Sequence, residues 1–169
     1  ELSTLRFALT AVGNMVGFFT SRSVEQYPRL RARSERVCVF PDIIRRINQL
    51  LDDEGNIRDS ASHELLSIRR AIREHEGQVS KRLQQVLNNA KRAGIVDPDA
   101  MISIREGRAV IPVSAGNKRE LNGFIHDESA TGKTFYVEPV EVVELNNALK
   151  ELEYAERREI VRLLTEFTE

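Results

Sequence analysis

A chain of 169 residues with 30% charged side chains, 6% aromatics, no tryptophan and a formal net charge of −1 reads as long, solvent-washed helices rather than one thick globular core. If compact, it would bury about 70% of the surface that the unfolded chain exposes. A single cysteine, Cys38, excludes an intrachain disulfide; between Val37 and Val39 it reads as a small buried hydrophobe in a reducing cytosol.

At the N-terminus, Leu2, Leu5, Leu9, Val12, Val16 and Phe19 recur at alternating spacings of three and four, the stripe of a helix packed on a neighbour. Phe7, Met15 and Phe18 lie off that stripe, so the helix is expected to be contacted from more than one side. Gly13 and Asn14 interrupt the apolar run, Glu1 precedes it and no basic n-region exists. It therefore reads as a buried helix, not a membrane or targeting segment. Tyr27-Pro28 marks a helix start or break ahead of a basic run at Arg29, Arg31, Arg33 and Arg36. Phe40-Pro41-Asp42 opens a short helix with apolar Ile43, Ile44, Ile47, Leu50 and Leu51, and the cluster from Asp52 to Asn56 ends it in a turn. Residues 1–56 form one helical segment on this reading.

Residues 57–98 hold the first long helix. Ser62 caps it, Glu64 complements its dipole, and Leu65, Ile68, Ile72, Val79, Leu83, Val86 and Ala90 form its stripe, with His75 in the slot between Ile72 and Val79. Gly77 weakens it locally and allows a bend, while Gly94 and Asp97-Pro98 stop it. Residues 139–169 hold the second, with Val142, Leu145, Leu149, Leu152, Ile160, Leu163 and Phe167 on its seam. The chain has no initiator methionine and its last residues still read helical, so a piece of a longer protein with partners at both ends is expected. Helices of some thirty residues reach about 45 Å. Two of them leaving and returning to the same insertion predict an antiparallel stalk carrying a head.

The head is residues 99–138. Strands are expected at Met101–Arg105, Ala109–Ser114, Arg119–His126 and Thr134–Glu138, with a tight turn at Glu106-Gly107 and a longer one at Ala115-Gly116-Asn117. Pro112 demotes its strand to an edge or marks a bulge. The fold class is thus mostly α with a small antiparallel β insertion. Gly132-Lys133-Thr134 invites a phosphate-loop reading, but Asp127 occupies the place of the first glycine and Phe135, Tyr136 and Val137 continue as a strand, not a helix. His126 and Glu128 would share one strand face with Asp127 opposite, and no second spaced pair completes a metal site. Asp127 and Ser129 suit hydrogen bonds to backbone N–H groups ahead of Gly132. His63 and His75 read as helix-surface or interface residues. No nucleophile–base pair, ligand spacing or phosphate loop is visible, so no catalytic residue is assigned.

The runs Ile57-Arg58-Asp59-Ser60-Ala61-Ser62, Glu64-Leu65, Ile68-Arg69, Ile104-Arg105-Glu106-Gly107-Arg108, Val110-Ile111-Pro112-Val113, His126-Asp127-Glu128-Ser129-Ala130, Phe135-Tyr136-Val137-Glu138-Pro139 and Glu144-Leu145-Asn146-Asn147 occur in this order across the chain. Together they resemble the second bacterial lineage of the MutS family. The resemblance implies a helical core (1–56), a first lever helix (57–98), a β-rich clamp head (99–138) and a returning lever helix (139–169). It also implies paired subunits closing on branched double-stranded DNA, driven by an ATPase domain using ATP and Mg outside this chain. A small MutS-related nuclease domain outside it is implied too, as is a role on collided ribosomes in some members, in a bacterial cytoplasm. On that basis this stretch itself is non-catalytic, holds no cofactor, contacts no membrane, and acts as a nucleic-acid clamp or, alternatively, as a mechanical scaffold and dimerisation module.

Charge is uneven. Residues 21–92 carry 15 Lys/Arg against 10 Asp/Glu, residues 99–138 carry 5 against 6, and residues 139–169 carry 4 against 8. The head is not basic by count, so any phosphate contact falls to single loop residues: Lys118 and Arg119 at one tip, Lys133 near another, and Arg105 and Arg108 flanking a turn. The plainer reading of each is a solvated surface charge. Arg69, Arg70 and Arg73 likewise read as the solvated face of a packed helix.

Overall fold

Secondary structure in the computed structural model, which describes residues 1–22 and 25–169, follows the expected order of helices, sheet and helix. Two compact units divide the chain, Glu1–Leu66 and Ser67–Glu169.

In the first unit, α1 (Leu2–Ser21) packs on α2 (Pro28–Ser34) and α3 (Pro41–Leu50). The expectation of a buried helix is not met: no residue of α1 is buried, and Phe7 (77% exposed), Met15 (56%) and Phe18 (44%) stand in the open. The stripe residues apart from Leu5 are half-buried, so this helix is covered on one side only. By length and composition α1 is apolar enough to cross a membrane. Here Arg6 fastens it to the turn after α3, donating from Nη1 to the Asp52 carbonyl at 2.8 Å and from Nη2 to the Asp53 carbonyl at 3.3 Å. Cys38 is exposed, not buried as expected, because it lies in an irregular stretch ahead of α3 with Val37 and Val39 also exposed. The buried hydrophobic residues of this unit are Ile47, Leu50, Leu51 and Leu65.

Helix α4 (His63–Arg92) starts at the predicted cap: Ser62 Oγ accepts from the Leu65 amide at 2.9 Å. It runs through Gly77 unbroken, so the roughly 1 kcal/mol helix cost of that glycine is carried by packing on either side. From Val79 onward, Val79, Leu83, Leu87 and Ala90 pack with Ala109, Ile111, Val113 and Val137 from the sheet, and with Val96, Leu121 and Val142. The buried seam takes Leu87 in preference to the expected Val86, which is half-buried.

The sheet comprises β1 (Ser103–Arg105), β2 (Arg108–Ser114), β3 (Gly123–Glu128) and β4 (Thr134–Pro139), all antiparallel, in the order β1-β2-β4-β3. Glu106 (φ 50°) and Gly107 (φ 73°) both take the left-handed conformation that a two-residue hairpin turn requires. Strand β3 starts four residues later than predicted and pairs with β4, not β2. Residues Ala115–Asn117 form a 3₁₀ turn, the Glu120 amide donates to the Asn117 carbonyl at 2.9 Å, and Leu121 turns into the core. Gly123 permits the entry of β3, since a Cβ there would lie 2.3 Å from the Glu138 carbonyl oxygen. Strand β2 is internal to the sheet, contrary to the edge reading of Pro112, yet β1 ends opposite Val110. Pro112 thus sits where β2 is open on that side and no ladder bond is lost.

Helix α5 (Val140–Thr168) returns from β4. Leu83 and Glu76 of α4 line a cavity of about 440 Å³ with Asn146, Leu149 and Glu153 of α5. Lower on α4, Arg69 Nε donates to Glu156 Oε1 at 2.7 Å. Partners that rise along one helix and fall along the other make α4 and α5 antiparallel. At 30 and 29 residues each is about 44 Å long.

Candidate nucleic-acid interface

The five cations singled out from sequence fall at opposite ends of β2, about 20 Å apart by strand rise. At the end where β2 finishes, Ser114 pairs with Thr134, and the Ala115 amide donates to the Lys133 carbonyl at 2.9 Å. This brings the β3–β4 loop beside the turn that follows β2. Asn117 Nδ2 donates to the carbonyls of Gly94 (3.3 Å) and Ile95 (3.0 Å), tying the corner to the chain leaving α4. Lys118 lays its stem over Phe135, with Nζ 4.4 Å from the ring centroid, while Arg119 and Lys133 are exposed. Among the described residues none of these three has a carboxylate partner.

At the other end both arginines are engaged inside the sheet. Arg105 lies 3.9 Å over the Tyr136 ring, and its Nε is 3.1 Å from Asp127 Oδ2. Arg108 donates from Nη1 to Glu138 Oε1 at 2.7 Å and from Nη2 to Asn147 Oδ1 at 2.6 Å. The two arginines flank the Glu106-Gly107 turn as expected, and each is held in an ion pair within the sheet.

Glu138, only 1% exposed, is the hub of this second end. Asn146, itself 2% exposed, donates to Oε1 at 2.6 Å, and His126 Nε2 lies 2.5 Å from Oε2. Burial pushes the Glu138 carboxyl up, but the bonds from Asn146, Arg108 and His126 and the Arg108 charge outweigh it and hold it below the ordinary range. An ionised carboxylate only accepts, so His126 carries its proton on Nε2. One side chain of β4 thereby joins β2, β3 and α5. Sequence reading did not single out Glu138 or Asn146; the signal was a carboxylate one residue before a proline at the sheet's inward end, with Arg108 and His126 as polar counterparts.

The His126 contact exists because β3 is bulged. Ile125 pairs with Val137 and Asp127 with Tyr136, so His126 is the extra residue. The bulge overturns the strict alternation expected for His126, Asp127 and Glu128, letting His126 reach Glu138 while Asp127 reaches Arg105. The loop behaves as predicted: Ser129 Oγ accepts from the Thr134 amide at 3.0 Å, the Gly132 amide donates to the Ser129 carbonyl at 2.7 Å, and Asp127 Oδ1 accepts from the Glu128 amide at 2.8 Å. Gly132-Lys133 lies in that loop and Thr134 opens β4, so no helix N-terminus faces a phosphate there.

Charge also marks the helices. Glu159 of α5 is 6% exposed and accepts from Arg162 Nε and Nη2, each at 2.7 Å.

No family model matches the chain. It is similar to the protein named Endonuclease MutS2 of Geobacillus sp. (strain WCH70), 39% identical over 170 residues that take in 99% of this chain and 22% of that protein. The protein of the same name from Pelotomaculum thermopropionicum is 36% identical over 168 residues, 99% of this chain and 21% of its own length. That of Latilactobacillus sakei subsp. sakei is 35% identical over 172 residues, 100% and 22%. The chain is therefore related to a stretch of MutS2 proteins, and spans about a fifth of the length of the curated relatives it matches.

Proposed function

We propose that this chain is the lever-and-clamp part of a MutS2-like protein, with residues 1–56 as helical core, α4 and α5 as levers, and the four-stranded sheet as the clamp head that grips branched double-stranded DNA. Lys118, Arg119 and Lys133 make the phosphate contacts, while Arg105 and Arg108 hold the head in shape. The observation that carries this is the corner where two loops meet: Lys118 and Arg119 from one loop and Lys133 from the other come together there, and among the described residues none of them has a carboxylate partner. The relatives' name adds that whole proteins of this kind are called endonucleases. An ATPase using ATP and Mg and a nuclease domain belong to the longer protein, which acts as a homodimer in the bacterial cytoplasm. This stretch binds and moves but catalyses nothing.

A second reading, a mechanical scaffold and dimerisation module of a protein acting on collided ribosomes, is favoured by the Glu138 hub, which couples the sheet to α5 from a buried position. The two separate in one titration. Lys118→Glu with Arg119→Glu lowers affinity for a four-way DNA junction and reduces the salt slope by about two. Unchanged affinity and slope leave the scaffold reading ahead.

A further inference from the structure

From Gly77 to Val96 the chain carries Lys81, Arg82, Lys91 and Arg92 and not one carboxylate, although Asp and Glu outnumber Lys and Arg overall. The core residues Val79, Leu83, Leu87 and Ala90 turn one side of α4 to the sheet. At about 100° per residue the far side then displays Lys81, Arg82, Gln85, Asn88, Asn89 and Arg92, all exposed. Arg82, Gln85, Asn88, Asn89 and Arg92 line one cavity of about 350 Å³, bordered by Val86 and by Glu141 from the first turn of α5.

These cations are unspent. Arg82 Nη1 meets only the amide oxygen of Gln85, at 3.4 Å, and among the described residues Lys81 and Arg92 have no carboxylate partner. Lys91 differs, since its Nζ donates to the Pro98 carbonyl at 2.6 Å and ties the helix end to the loop that follows it. Lys81 and Arg92 lie about 16 Å apart along the axis. A duplex presents one negative charge per roughly 1.7 Å of its axis, so a straight row of guanidinium, ammonium and amide donors of this length meets several phosphates at once. A lipid surface would call for large apolar side chains beside the cations, and this face has only the half-buried Val86. Gln85, Asn88 and Asn89 add neutral donors of the kind that fix a backbone in place without adding repulsion.

We infer that the Lys81–Arg92 stretch of this α4 face binds the phosphodiester backbone of a nucleic-acid duplex, as a contact distinct from the Lys118–Arg119–Lys133 corner. It rests on the nucleic-acid reading above but uses other residues. Glu141 is the one carboxylate that lines the cavity, and Glu74, one step further down the same side of α4, marks where the face ends.

Binding of the 169-residue chain to a short DNA duplex and to an RNA duplex of the same sequence, followed by fluorescence anisotropy over a range of salt, tests it. Arg82→Gln with Arg92→Gln, both at exposed helix positions, lowers affinity about tenfold and reduces the salt slope by about two. Glu141→Gln raises affinity a few-fold. Which duplex responds identifies the source of the backbone. Far-UV circular dichroism checks that the helix is intact. Unchanged affinity and slope in the double variant, or no binding of the unaltered chain to either duplex, overturns the inference. A loss confined to Lys118→Glu with Arg119→Glu overturns it and keeps the sheet corner; a loss confined to Arg82→Gln with Arg92→Gln does the reverse.

Discussion

The two ends of β2 carry the same kind of charge in opposite surroundings. At its start, Arg105 and Arg108 are matched by Asp127 and Glu138; past its end, Lys118, Arg119 and Lys133 have no carboxylate partner among the described residues, and Lys118 rests only on the Phe135 ring. With 5 basic and 6 acidic residues in 99–138, net charge says little about either end. Where the carboxylates sit decides which cations shape the head and which remain free, and a bulge in β3 decides where Asp127 and its neighbour His126 point.

The first way to break this contrast is at the hub. Glu138→Ala strands Arg108, Asn146 and His126 together, and is expected to destabilise the Ser67–Glu169 unit by about 3 kcal/mol, the lower end of the range for breaking a buried ion pair because Arg108 regains some water. Urea unfolding measures it; a loss below about 1 kcal/mol would mean the hub is dispensable and the two ends are alike. Next comes Gly123→Ala. Its Cβ would meet the Glu138 carbonyl oxygen at 2.3 Å and Val137 Cγ1 at 2.7 Å, and the backbone neighbour cannot swing aside, so about 2 kcal/mol is expected in the same experiment.

Acid sharpens the contrast from another side. The folded Glu138 carboxyl lies below its ordinary value of 4.5, so it binds its proton less readily folded than unfolded. Its stabilising share is complete above about pH 4.5 and is lost as pH falls through the lower folded value. Wild type is therefore expected to exceed Glu138→Gln in stability near neutrality and to approach it on acidification, with the gap read from denaturation midpoints along a pH series. A constant gap would remove the carboxylate's charge as its cause.

How much of this was legible follows from the range of each interaction. Ser62 as a cap, Glu106-Gly107 as a turn and Ser129 as a loop brace are local, and residues a few positions apart suffice to predict them. The sheet order was not, because β4 inserts between β2 and β3 and nothing in residues 115–122 signals that except Leu121, whose side chain is needed in the core. The same limit applies to the candidate site. Lys118, Arg119 and Lys133 are on tips as the turn residues imply, whereas the capture of Arg108 by Glu138 spans 30 positions and depends on strand register. The exposed α1 shows the converse: its stripe is real, but a periodic pattern says which face is apolar and not what covers the other.

Smaller effects separate the ends further. Arg105→Gln gives up a half-exposed ion pair and the stacking over Tyr136, together worth about 1 kcal/mol, a modest loss that still registers in unfolding.

Lys118→Ala with Arg119→Ala is expected to change stability by less than about 0.5 kcal/mol. Arg119 is exposed, and Lys118 loses only the contact of its stem and ammonium with Phe135. The same pair is expected to weaken junction binding, so affinity falls here with little change in stability, whereas Glu138→Ala acts on stability. A stability loss as large as that of Arg105→Gln would show that the far corner is also internal scaffolding. In that case the absence of carboxylates around it would reflect packing on Phe135 and not readiness for phosphate.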